Sequence, residues 1–224
     1  MHGFTFIRSL FFAAFVYSAS TTICPAQTKL IIARHGTSAY DPANPKLVNG
    51  VPDPPLSAIG KEEAARLAKL AKAEGIEVVV HSPLLRARET AAIVARELNR
   101  KPVVIVALTE FNLGDLLSKD WSQSPYREQL AEVFRHPDNK RPGGESFNDL
   151  SARSTAALRK LLAHHRNKKI LLIAHGVTNR ALLGYVRGLS TAEAYALPSQ
   201  ANNEAFMVNW TGKVPAEVTP RRYE

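Results

Sequence analysis

The 224-residue sequence predicts an α/β fold, a three-layer α/β/α sandwich with a mostly parallel central sheet. Two observations carry this. Four short runs are apolar at every position instead of alternating: "LIIA" from Leu30, "VVV" from Val78, "VVIVA" from Val103 and "ILLIA" from Ile170. Strands covered on both faces look like this, and such strands belong to parallel sheets. Between the runs lie stretches of helical periodicity, so strand and helix alternate, with helices on either side of one sheet.

The helices are read in order. Ser57 to Lys72 carries Ala64, Leu67, Ala68 and Ala71 on one face, with Ser57 as its cap and Gly75 as a stop beyond it. Ser82 and Pro83 read as an N-cap and first helical residue of a helix to about Leu98, and Ser124 with Pro125 repeats the device for a shorter helix. Ser146 with Asp149 resembles a capping box, after which Leu150, Ala157, Leu158, Leu161 and Leu162 recur at helical spacing to His164. A further helix is expected from about Asn179 to Arg187, ending at Gly188. "EAFMVNW" reads as one more strand at an edge, and the tail from Thr211 to Glu224 as irregular.

Composition, 45% hydrophobic and 22% charged, suits one globular domain, expected over residues 27–224. Residues 1–26 are set apart: a basic Arg8 precedes an apolar run from Leu10 to Ala19, then small and polar residues, as in a secretory signal peptide cleaved after Ala26. The apolar run falls well short of the ~20 residues of a spanning helix, so no stable membrane span is expected after cleavage. Ile23 before Cys24 argues against a lipoprotein signal. The expected location is outside the cytoplasm, periplasmic or secreted.

Loss of residues 1–26 removes Arg8 and the single cysteine, leaving 28 basic against 20 acidic residues, a net charge of +8, and no disulfide. An anionic partner fits that charge. The basic residues are scattered and not interleaved with aromatics, which argues against nucleic acid.

In parallel sheets ligands sit beyond the carboxyl ends of the strands. There this sequence places Arg34 and His35 after "LIIA", Arg86 in the first helical turn after "VVV", Glu110 after "VVIVA" and His175 after "ILLIA". Guanidinium forks bind phosphate oxygens in pairs, a neutral imidazole can attack phosphorus, and a carboxylic acid can protonate an alkoxide leaving group. Helix N-termini behind Ser82 and His175 are expected to add N–H donors. No HxH, HExxH or clustered carboxylates suggest a metal, no cofactor is implied, and no GxSxG elbow points to a serine hydrolase. His164 and His165 read as partners of a helix C-terminus instead of ligands.

"ARHGTS", "DPPLSAIG", "SPLLRARETA", "LTEFNLG", "PGGES" and "LIAHGVTNRALL" occur in this order between about Leu30 and Val208. This set resembles the motifs of the histidine phosphatase superfamily in its phosphoglycerate mutase-like branch. The resemblance implies a phosphoglycerate mutase-like fold and His35 as a nucleophile that becomes phosphohistidine. It also implies Arg34, Arg86 and His175 as the phosphate pocket, with Ser38 and Gly176 as further binding positions, and Glu110 as the proton donor. Gly176, where the acid phosphatase branch has Asp, favours Glu110 in that role. Thr37 and Asp41 depart from the pattern. An anionic Asp41 would repel phosphate, so either it points away, or Asn44 or Asn49 takes its place. Glu145 is equally readable as a substrate or arginine partner and as a helix-dipole acid.

The expected activity is an exported, metal-independent phosphomonoesterase acting on a small phosphorylated substrate, a sugar phosphate or an envelope component. A phosphoglycerate mutase-type phosphotransferase and a non-catalytic phospho-ligand-binding pseudo-enzyme are the competing readings. Segments Phe111–Tyr126 and His136–Gly144 are expected to cover the pocket, with Phe111, Trp121, Tyr126 and Phe134 shaping it.

Overall fold

The structure is a computed structural model and describes residues 27–39, 47–48, 51–117 and 119–224. The expected signal peptide, Asp41, Asn44 and Asn49 lie outside them. In chain order the elements are β1 (Thr28–Arg34), β2 (Leu47–Val48), β3 (Val51–Pro52), α1 (Ala58–Ala73), β4 (Val78–His81), α2 (Leu85–Leu98) and β5 (Val103–Val104). They continue with α3 (Tyr126–Val133), α4 (Phe147–His164), β6 (Lys169–Ala174), α5 (Gly176–Val186), α6 (Thr191–Tyr195), β7 (Glu204–Trp210) and β8 (Glu217–Arg222). Single 3₁₀ turns occupy Val106–Leu108 and Gly114–Leu116.

Six strands form one sheet in the order β5-β4-β6-β1-β7-β8. The first four run parallel, and β7 and β8 are each antiparallel to the strand before them in that order. Side-chain alternation divides the core. Ile31 and Ala33 of β1 face Leu67 and Ala71 of α1 and Ala91 and Val94 of α2. Leu30 and Ile32 point the other way, against Leu158 and Leu161 of α4 and Leu182 and Val186 of α5. Each such aliphatic side chain contributes on the order of 1.5–3 kcal/mol by leaving water, which is why runs apolar at every position mark these strands.

Several sequence expectations need correction. "VVIVA" is not a strand buried on both faces: pairing stops after Val104, and both valines of β5 are about half exposed at the sheet edge. The following carbonyls of Ala107 and Thr109 accept instead from the Arg153 guanidinium at 2.8 and 2.9 Å, so the chain leaves the sheet there. "EAFMVNW" is an inner strand, because the tail, expected to be irregular, adds β8 outside it.

Ser82 is not an N-cap. Helix α2 starts at Leu85, whose N–H donates to Asp53 Oδ1, while Ser82 Oγ pairs with His175. At α3 the capping position falls on Pro125, after a cis Ser124–Pro125 bond, and carries no side-chain cap. Helix α5 begins at Gly176, before the expected Asn179. The Ser57 cap, the Ser146–Asp149 capping box and the left-handed Gly75 and Gly188 stand where the sequence put them.

Candidate active site

The parallel strands end on one edge, and β6 returns between β4 and β1, opening a crevice of the kind that binds ligands. Backbone pairing runs past the strands into the site: His35 N donates to Ala174 O at 3.0 Å, and Ser82 N to Ile173 O at 3.1 Å. The loop after β1 is held against the start of α1 by glycine contact. A Cβ on Gly36 would lie 2.3 Å from Gly60 O, and one on Gly60 would lie 2.0 Å from Thr37 O. Gly36 N donates to Thr90 Oγ1, and Thr37 N and Oγ1 donate to Glu63.

A cavity of about 350 Å³ is lined at one end by Arg34, His35, Ser38, Arg86 and Glu110. Three strand-end segments, those after β1, β4 and β5, thus deliver their polar side chains to one hollow. His175 does not reach the cavity surface. It is fully buried, with its ring centroid 5.0 Å from that of His35. Gly176 does not line the cavity either, but sits against the Arg34 guanidinium, where a Cβ would make ordinary contact at 3.6 Å. Of the lid aromatics, Phe111, Trp121 and Phe134 line the cavity, and Tyr126 does not.

The protonation of His35 is set by both of its ring partners. Nδ1 lies 2.7 Å from Gly36 O, a group that only accepts, so Nδ1 carries the hydrogen. Arg86 Nε, which only donates, points at Nε2 from 3.1 Å, so Nε2 presents its lone pair. Burial foremost, then Arg86 and Arg34, lowers the His35 pKa from 6.5 to about 3. The imidazole is therefore neutral across ordinary pH. His175 is also held well below the usual histidine range, by burial first and then by Arg86, His35 and Arg34. It is therefore a neutral group beside His35. Its Nε2 is 2.6 Å from Ser82 Oγ, and its Nδ1 is buried without a protein partner, as is Arg34 Nε. A phosphoryl oxygen is an acceptor that suits an Nδ1–H and a guanidinium N–H; the serine then donates to Nε2.

Glu110 is tied to the start of α5. Its Oε1 accepts from Phe111 N at 2.9 Å and from Thr178 N and Oγ1, both at 3.1 Å. Its Oε2 accepts only a long bond, 3.3 Å, from Val177 N. Oε2 is thus the oxygen with lone pairs to spare for a proton in transit. Part of the expected helix N-terminal donors is thus taken within the protein: Val177 N and Thr178 N of α5 serve Glu110, and Leu85 N of α2 serves Asp53.

Sequence reasoning missed the supporting residues. Gln200 O accepts from Arg34 Nη1 at 2.9 Å, Gln200 Oε1 accepts from Asn179, and Asn202 Nδ2 donates to His35 O at 2.6 Å. Glu145 turns out to hold Arg153 through two bonds of 2.6 and 2.8 Å while also accepting from Asn112 N. Arg153 in turn holds the carbonyls just before Glu110. Of these, Asn112, Glu145 and Asn179 stood in quoted motifs, and only Glu145 was singled out there. His164 and His165 meet edge-on at 4.7 Å between ring centroids, and among the described residues no His, Cys, Asp and Glu cluster could hold a metal ion.

Two guanidinium groups and a neutral imidazole at one end of a crevice, with a carboxylate beside them, make an anion site suited to phosphoryl transfer. The profile of the histidine phosphatase superfamily (branch 1) matches residues 30–220, and the chain belongs to that superfamily. A 2,3-bisphosphoglycerate-dependent phosphoglycerate mutase of Methylobacterium sp. (strain 4-46) is 35% identical over 172 residues, 72% of this chain and 82% of that protein. An uncharacterized phosphatase PhoE of Bacillus subtilis (strain 168) is 29% identical, covering 72% of this chain and 78% of that one. Among solved structures, mycobacterial glucosyl-3-phosphoglycerate phosphatase with VO3 superposes with a TM-score of 0.72 at 25% identity, over 87% of this chain and 96% of that chain.

Proposed function

We propose that the protein is an exported phosphomonoesterase that works through a phosphohistidine on His35. The observation that carries this is the tautomer imposed on His35, Nδ1–H to Gly36 O and lone pair at Nε2. In the first step Nε2 bonds to phosphorus as the ester P–O bond breaks, and protonated Glu110 gives its proton from Oε2 to the departing alkoxide. Arg86 turns its Nε–H from Nε2 to a phosphoryl oxygen. In the second step Glu110 takes a proton from water, whose oxygen bonds to phosphorus and releases Nε2. Arg34, Arg86 and Ser38, which line the cavity, hold the phosphoryl oxygens, and His175 backs the His35 ring. Residues 1–26 support export through their sequence pattern, and cell fractionation tests that part separately.

A mutase is the second reading, favoured by the mutase names of relatives at 30–35% identity. Against it, the only cations among the described cavity-lining residues are Arg34 and Arg86, which serve one phosphoryl group and leave no cationic site for a second. The test is hydrolysis of p-nitrophenyl phosphate with and without EDTA, beside His35→Ala. Turnover is expected to be unaffected by EDTA, inhibited by vanadate, and reduced about a thousand-fold or more in the variant. Undiminished turnover in His35→Ala refutes the nucleophile. Conversion of 3-phosphoglycerate to 2-phosphoglycerate primed by 2,3-bisphosphoglycerate, faster than hydrolysis, selects the mutase.

A further inference from the structure

The catalytic cavity has two chemically different ends. Beyond the phosphate-facing groups its wall is apolar: Pro54 and Val177 contribute, and most of it comes from the chain between β5 and α4, where Phe111, Leu113, Leu117, Trp121, Leu130 and Phe134 line it. The single polar atom of Trp121, its indole N–H, is spent on Leu116 O at 2.6 Å and has nothing left to give a ligand. The charged side chains of the same stretch are directed to partners elsewhere: Arg141 to Asp115, Arg135 to Glu132 and Arg127 to Glu128. Lys119 lies over the Tyr126 ring. Phe134 is 37% exposed at this wall, a large apolar side chain left in water.

We propose that this wall seats the alcohol half of the substrate, and that this half is apolar, an aryl or medium-length alkyl group. The proposal rests on the phosphomonoesterase reading and narrows it. The cavity is near the lower end of the volumes typical of small-ligand pockets. It therefore holds a phosphoryl group and a compact apolar group. A polyol would lose its water without regaining partners along the wall, and a carboxylated leaving group would meet no cation there among the described residues. An apolar group gains by covering Phe134 and its neighbours. The wall makes a sugar phosphate, one of the substrate classes the sequence suggested, the poorer fit.

The experiment compares hexyl phosphate and benzyl phosphate with glycerol 1-phosphate and glucose 6-phosphate, all esters of primary alcohols of similar leaving ability. With the full chain, kcat/KM for the first two is expected to exceed that for the second two by about tenfold or more. Hexylphosphonate is expected to inhibit p-nitrophenyl phosphate turnover at a concentration at least about tenfold below that of phosphonoglycerol, a readout on the wild-type protein alone. Phe134→Ser should lower the hexyl-to-glycerol ratio several-fold. Equal kcat/KM for all four esters, with equal inhibition by the two phosphonates, overturns the apolar seat and leaves the phosphatase reading standing. No hydrolysis of any ester, p-nitrophenyl phosphate included, overturns both.

Discussion

The neutrality of His35 can be tested without any substrate. Its pKa falls from 6.5 to about 3, chiefly through burial and then through Arg86. Because the folded value lies below the unfolded one, the unfolded chain takes up the proton first. The contribution to stability is complete above pH 6.5 and is lost progressively as pH falls toward 3. At about pH 4.5, some two units below the unfolded value, the loss is on the order of 2–3 kcal/mol. Urea unfolding of the wild type and His35→Asn, followed by circular dichroism at about pH 7 and about pH 4.5, isolates this effect. His81, His165 and His175, whose values are also lowered, remain in both proteins and largely cancel. The wild type should lose on the order of 2–3 kcal/mol more than the variant between the two pH values. Equal losses would mean that His35 is not held neutral, and the argument for a ready lone pair at Nε2 would fail with it.

Three further outcomes are expected. Glu110→Gln should lower kcat/KM for alkyl phosphates about a hundred-fold or more but nitrophenyl phosphate far less, since only alkoxides need the proton; equal losses on both would place proton transfer elsewhere. Arg153→Met, which releases the carbonyls of Ala107 and Thr109, should show the same leaving-group selectivity more weakly if Arg153 positions Glu110. A uniform loss of folded protein with unchanged selectivity would reduce it to a structural residue. Gly60→Ala drives a Cβ toward Thr37 O, 2.0 Å away; overpacking of this kind costs on the order of 1–3 kcal/mol, and the urea midpoint should fall while a surface alanine substitution such as Lys61→Ala leaves it within error.

The sequence by itself determined the layers and which side chains gather beyond the strand ends. Unbroken apolar runs at Leu30, Val78 and Ile170 could be satisfied only by strands covered on both faces, and strand-end placement brought Arg34, His35, Arg86 and Glu110 to one cavity, with His175 packed behind His35. Local caps such as Ser57 and the Ser146–Asp149 box were readable because their partners lie three residues away. What needed the tertiary structure was every feature whose partner is distant in the chain. Val103–Val104 pairs on one side only and gives way to a segment whose carbonyls Arg153 holds, and the tail becomes β8 because β7 offers it an open edge. Ser82 serves His175 instead of a helix, Glu110 takes the first N–H groups of α5, and Gln200 holds Arg34 from 166 residues away. Hydrogen bonds between remote segments leave no periodicity in sequence, so His35 could be singled out from its motif, whereas which of its ring nitrogens keeps a lone pair was decided only by the carbonyl and guanidinium folded against it.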